Sequence, residues 1–317
     1  MEFVSVTNGD IDINVAVKGS GPLILCVHGW PELWYSWRHQ IAHFSDAGYT
    51  VAAMDVRGYG GSSKPHEITA YTLTQLTSDV AAVIDEVGAG SAILFGHDWG
   101  APIVWTTALL YPEKVGAVAL LSVPYFPASE IKTLDLWRQL YADQFFYQLY
   151  FQQEGAAEAE LEADIAAGLR KAYFAISGDA RLDQWLEPKP KDAGLLDGLI
   201  DPDPFPPWMS TDDLQVYVDA FASGGFRGPI NRYRAQDLDN EQLIDLRGAA
   251  LKQPSFFVGG ERDAVRHFVP GNDSYADPGN ACADFRGSVI IPDVGHWVQQ
   301  EAPVETNQAL GEFLKGI

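Results

Sequence analysis

Three residues far apart in the chain, Asp98, Asp263 and His296, each come just after a short apolar run. Asp98 is the centre of Gly96-His97-Asp98-Trp99-Gly100-Ala101, between an apolar run at 92–95 and an apolar helix-like stretch. Small residues around a central one suit a sharp strand-to-helix turn, where the middle residue is strained and its neighbours cannot carry bulky Cβ groups. A surface aspartate capping the helix would use the same turn. Asp263 ends Gly260-Glu261-Arg262-Asp263, after the run 256–258, and His296 lies in Val294-Gly295-His296-Trp297, after 290–291. The chain order is therefore nucleophile, acid, histidine. Parallel strands end in one crevice, so these three residues can converge there.

A carboxylate in the nucleophile position changes the chemistry. With an ordinary pKa of about 3.9, Asp98 is ionised at pH 7 and attacks an electrophilic carbon without a base. The product is an ester on Asp98. The histidine is left for a second step: held in one tautomer by Asp263, it activates water against the ester carbonyl, and backbone N–H groups receive the oxyanion.

The elements that must position these residues alternate in type. Strand-like runs occur at 3–6, 11–17, 23–27, 51–54, 92–95 and 115–121, with helical stretches at 34–47, 73–87 and 101–111. Buried strands alternating with helices imply a parallel sheet covered on both faces. The first pair, joined at Asn8-Gly9-Asp10, reads as an antiparallel hairpin. From 128 to 245 the pattern turns helical, as in QEGAAEAELEADIAAGLRKAYF, with a loop holding six prolines from Pro188 to Pro207. Strand and helix then return at 254–258, at 288–291 and after Glu301. The expectation is one α/β core (1–127 and 246–317) with one inserted helical cap (128–245).

The 317 residues carry a net charge of -22, which argues against nucleic acid and polyanionic ligands. No apolar stretch approaches the roughly 20 residues that span a bilayer. The start, MEFVSVTNGDIDI, has no basic head or apolar run, so cytoplasmic residence is expected. Cys26, in LILCV, reads as a small core residue, and no Cys/His cluster has metal-ligand spacing. Neither a metal nor a cofactor is expected.

The sequence resembles the epoxide hydrolases of the α/β-hydrolase superfamily over nearly its whole length. It is similar to the hydrolase domain of soluble epoxide hydrolases in GHDWG, YQLYFQ (147–152), GFRGPINRY (225–233) and VGHW. The resemblance makes Asp98 the nucleophile, His296 the base and Asp263 its orienting acid. It makes Tyr147 and Tyr233 the cap tyrosines that bind the epoxide oxygen, and the N–H groups of Trp30 and Trp99 the oxyanion donors. It implies a small hydrophobic epoxide and water as substrates; the oligomeric state, monomer or homodimer, is left open by the sequence. A phenol, pKa about 10, can protonate the alkoxide as the ring opens. Pro31 makes a cis bond after Trp30 accessible, at about 0.5–1 kcal/mol above trans, and that bond is expected to aim the Trp30 N–H at the site.

Trp30, Trp99, Val265 and Trp297 flank the proposed catalytic groups and are expected to wall the pocket, with core packing as the alternative for the tryptophans. His28 and His97 read as hydrogen-bonding supports rather than bases. His39, His43, His66 and His267 read as surface or satisfied histidines, and Arg57 as a loop anchor. Two rivals remain. A haloalkane dehalogenase also uses an aspartate followed by tryptophan, but it needs halide-binding N–H donors, often an Asn in place of Trp30, and no paired tyrosines. A non-catalytic sensor on the same fold would not need the complete Asp98–Asp263–His296 set.

Overall fold

Hydrophobic alternation along the strands explains the layers. In a computed structural model, which describes every residue except Ala89, Leu182 and Asp183, the strand β3 (Leu23–Val27) is buried at all five positions. Leu25 and Val27 face one apolar cluster, Ile24 and Cys26 the other. The remaining strands are β1 (Glu2–Asn8), β2 (Ile11–Gly19), β4 (Thr50–Met54), β5 (Ala92–His97), β6 (Val115–Leu121), β7 (Leu251–Gly260) and β8 (Cys282–Ile291). They form one eight-stranded sheet in the order β1-β2-β4-β3-β5-β6-β7-β8. From β4 to β8 each neighbouring pair is parallel; β2 runs antiparallel to both β4 and β1.

Helices cover both faces. In α2 (Leu73–Val87) the buried Leu73, Leu76, Val80, Val83 and Ile84 form a stripe with helical spacing. The helix α3 (Gly100–Leu110) is apolar nearly all round and packs beside α2. On the other face lie α1 (Arg38–Asp46) and α12 (Pro303–Leu314), through Ile41, Phe44, Leu310 and Phe313. The short α11 (Val298–Glu301) precedes α12.

Among the described residues, the segment between β6 and β7 holds seven α-helices: α4 (Thr133–Leu140), α5 (Tyr147–Tyr150), α6 (Ala156–Ala163), α7 (Ile165–Ala175), α8 (Thr211–Gly224), α9 (Arg227–Arg234) and α10 (Gln236–Gln242). Two buried ion pairs hold α9. Arg234 reaches Glu158 of α6 at 2.6 Å, and Arg232 pairs with Asp239 of α10. The loop with the prolines leads into α8, which Ser210 and Asp213 start as a reciprocal capping box.

Three expected elements differ most in extent. The helix expected at 34–47 opens as a 3-10 turn, Trp34–Trp37, before α1. The strand expected at 254–258 begins at Leu251, because β7 continues through Pro254 with a register shift against β8. The strand expected at 288–291 begins at Cys282; β8 is the sheet edge, and its half-exposed residues mask the apolar pattern.

Candidate active site

Asp98, Asp263 and His296 each follow the C-terminal end of a parallel strand. Asp98 follows β5 and has a φ of 49°, the left-handed region. Such a conformation costs a non-glycine residue about 1–3 kcal/mol. The turn is tight enough that a Cβ on Gly100 would collide with the Val27 carbonyl.

The Asp98 carboxylate is held on two sides. Oδ1 accepts the Trp30 N–H at 2.7 Å, and Oδ2 lies 3.5 Å from His296 Nε2. Burial pushes the Asp98 pKa up, but the hydrogen bond and charge of His296 outweigh it, with His97 and the Trp30 N–H adding to the effect. The net value is below the ordinary one. The Trp30–Pro31 bond is cis, as expected. Gly29 lies so close that a Cβ there would strike Asp98 and come within 2.6 Å of the Trp99 nitrogen. Both proposed oxyanion donors therefore sit around one small space beside Asp98.

His296 Nδ1 is 2.8 Å from Asp263 Oδ2. Asp263 is itself fixed: Oδ1 accepts the Val265 N–H at 2.8 Å, and the Tyr275 hydroxyl lies 2.6 Å from Oδ2 and 2.5 Å from the Ser122 carbonyl. The His296 pKa is pushed up to about 10; burial alone would lower it, but the Asp263 charge and hydrogen bond prevail, with Asp98 adding to them.

The expected supports are present. His28 lies 2.8 Å from the Gly29 carbonyl through Nδ1 and accepts the Val56 N–H through Nε2 at 3.0 Å, an arrangement that leaves it no role as a base here. His97 Nδ1 is 2.6 Å from Glu32 Oε2, and its Nε2 is 2.8 Å from the His296 carbonyl. Glu32 also accepts the Gly29 N–H, so one buried carboxylate ties the Trp30 loop to the His296 loop. His43, His66 and His267 are exposed and His39 is half-buried. Arg57 anchors loops by pairing with Asp79 and the Ala70 carbonyl.

Above Asp98, α5 and α9 bring Tyr147 and Tyr233 together, with ring centroids 5.7 Å apart. Burial raises both phenol pKa values; for Tyr147 the Asp98 charge adds, and for Tyr233 the neighbouring Tyr147 and Asp98 do. Both therefore hold their protons at neutral pH. Beside them lies a cavity of about 490 Å³ whose lining includes Asp98, Trp99, Tyr147 and Val265.

Trp30 and Trp297 are not part of that lining, contrary to expectation. Trp297 is fully buried, packed on Tyr173 and His97, and donates its indole N–H to the Tyr173 carbonyl. Trp30 packs its ring on Phe151 and contributes its backbone instead.

Sequence reading missed several residues. Glu301 accepts the N–H groups of Gly295, Trp297 and Gly178 at 3.0, 2.9 and 2.7 Å, which frames His296 and links its loop to the segment after α7. Tyr275 and Glu32 were also overlooked. No local motif marks these three. Among the described residues, no group of three or more His, Cys, Asp or Glu residues could hold a metal ion.

Comparison with known proteins gives the same picture. The sequence model of the alpha/beta hydrolase fold family matches residues 22–303. The chain is 42% identical to epoxide hydrolase A of Mycobacterium tuberculosis, covering 98% of this chain and 96% of that one. Among solved structures it is similar to epoxide hydrolase A from Mycobacterium thermoresistibile, with 40% identity, a TM-score of 0.92, and 99% and 98% of the two chains covered. It is also similar to an epoxide hydrolase from an endophytic Streptomyces, with 40% identity, a TM-score of 0.93, and 99% and 95% covered. With both its strand order and its full-length relatives in agreement, the chain belongs to the α/β-hydrolase fold family, among the epoxide hydrolases.

Proposed function

We propose that this chain hydrolyses an epoxide to a vicinal diol through a covalent ester on Asp98. The observation that carries the reading is the setting of one carboxylate: Asp98 has a backbone N–H at 2.7 Å on Oδ1, a histidine at 3.5 Å from Oδ2, and two buried phenols beside it.

In the first step Oδ2 attacks a ring carbon and the C–O bond breaks. Oδ1 is the oxygen held by Trp30, so it becomes the ester carbonyl and later the oxyanion. Tyr147 and Tyr233 hold the epoxide oxygen, and one of them gives its proton to the alkoxide. In the second step His296, oriented by Asp263, takes a proton from water as the hydroxide adds to the Asp98 ester carbon. The N–H groups of Trp30 and Trp99 stabilise the oxyanion, and its collapse releases the diol. The His296 proton then restores the phenol. Residues 128–245 act as the cap that supplies the phenols, while 1–127 and 246–317 supply the other groups. Val265 and Trp99 bound the substrate.

Cytoplasmic residence belongs to the same proposal. Among the described residues no helix is long and apolar enough to cross a membrane. The enzyme acts as a monomer or homodimer, which sedimentation would test. For the activity, incubation with styrene oxide and separately with a chlorinated alkane should yield diol and no halide. Halide release without diol would overturn the reading.

A further inference from the structure

Tyr147 has a polar neighbour that the proposed reaction does not yet use. Gln148, the next residue on α5, is buried, lines the cavity and places Nε2 3.0 Å from the Tyr147 hydroxyl. A glutamine amide could present either end to that hydroxyl, with opposite consequences. An amide oxygen would accept the phenolic proton and withdraw it from the substrate. An NH2 group donates to the phenolic oxygen, leaving the proton free to point elsewhere.

The surrounding hydrogen bonds decide the orientation. Gln236 faces the main-chain carbonyl of Tyr233 at 3.0 Å, and a carbonyl can only accept, so the Gln236 group there is its NH2. The same NH2 lies 3.2 Å from Gln148, and what it meets must be the Gln148 amide oxygen. The other end of Gln148, facing Tyr147, is then its NH2. Gln152 fastens the arrangement by donating to the Gln148 and Tyr233 carbonyls at 2.8 and 3.1 Å. The main chain of one cap tyrosine thus sets the hydrogen-bond sense of the other.

We propose that Gln148, oriented by Gln236, is a positioning residue that keeps the Tyr147 proton directed at the substrate oxygen. An N–H on the phenolic oxygen also stabilises the negative charge that grows there as the proton leaves, so it strengthens the acid. This inference rests on the reading of Tyr147 as a proton donor in ring opening.

The test is a double-substitution cycle read separately on the two chemical steps, by rapid-quench measurement of ester formation and of ester breakdown with styrene oxide. Gln148→Met keeps the side-chain length and removes both polar ends. It should slow ester formation on the order of tenfold, the size of one lost hydrogen bond to a reacting group, and leave ester breakdown unchanged. In a Tyr147→Phe background the same substitution should change neither step. Gln236→Met should slow ester formation less, and it carries the same cycle if Gln148→Met does not fold. An equal slowing with and without the Tyr147 hydroxyl, or an equal slowing of both steps, overturns the proposal. If Tyr147→Phe alone forms ester at the wild-type rate, the parent reading of Tyr147 fails, and this one with it.

Discussion

His296 stands between two carboxylates at unequal distances, 2.8 Å from Asp263 through Nδ1 and 3.5 Å from Asp98 through Nε2. The closer contact fixes the ring. The longer one faces Asp98, the proposed nucleophile, beside which the proposed second step activates a water. These contacts also give the histidine a charge dependence that can be measured.

In the resting enzyme the His296 pKa is pushed up to about 10, chiefly by Asp263 against the lowering effect of burial, with help from Asp98. Below that value the ring is protonated and is not a base. Esterification removes the Asp98 charge, so one of the raising causes disappears and the histidine titrates lower in the intermediate. Ester breakdown, followed by rapid quench across pH, should therefore rise with pH through a midpoint below about 10, whereas His296 in the free enzyme, followed by NMR, should titrate near that value. A breakdown midpoint equal to that of the free enzyme would contradict this coupling.

In the proposed reaction the two tyrosines share one oxygen, so their losses should not simply add. Tyr147→Phe or Tyr233→Phe alone should slow ring opening and leave measurable turnover. With both hydroxyls gone no acid remains for the alkoxide, and the rate should fall about 100- to 10,000-fold, the usual range for general acid catalysis. Steady-state diol formation reads this directly. Wild-type rates in the double variant would remove both residues from the mechanism.

Tyr275 touches Asp263 but not the cavity's reacting groups. Tyr275→Phe should lower stability by about 0.5–1.5 kcal/mol, the net worth of one hydrogen bond. It should slow ester breakdown modestly while ester formation stays unchanged. Urea unfolding and the two-step rapid-quench assay measure the pair of effects, and slower ester formation would argue against this role.

Much of the proposed site's placement was legible because its polar residues follow strand ends. Each of Asp98, Asp263 and His296 comes after an apolar run, and the hydrophobic pattern alone marks β3 and β6 at their true bounds. Tyr147 and Tyr233 were legible only through resemblance, since a tyrosine on a cap helix has no periodic or spacing signature. Glu32 and Glu301 hydrogen-bond to residues distant in sequence, and Gln148 is held by one, Gln236; no local pattern encodes such contacts. Trp297 follows His296 directly yet points into the core against Tyr173, because neighbours in a loop need not face the same side.

The covalent ester is tested most directly by His296→Gln. In the proposed reaction ester formation needs only the ionised Asp98 and the two phenols, while ester breakdown needs a base for water. Mixed with excess styrene oxide, the variant should stall, and intact-mass spectrometry should show the protein heavier by one substrate mass, with Asp98 as the modified residue. A folded variant that still binds the epoxide but gains no mass would contradict the covalent route and favour direct attack of water on the ring.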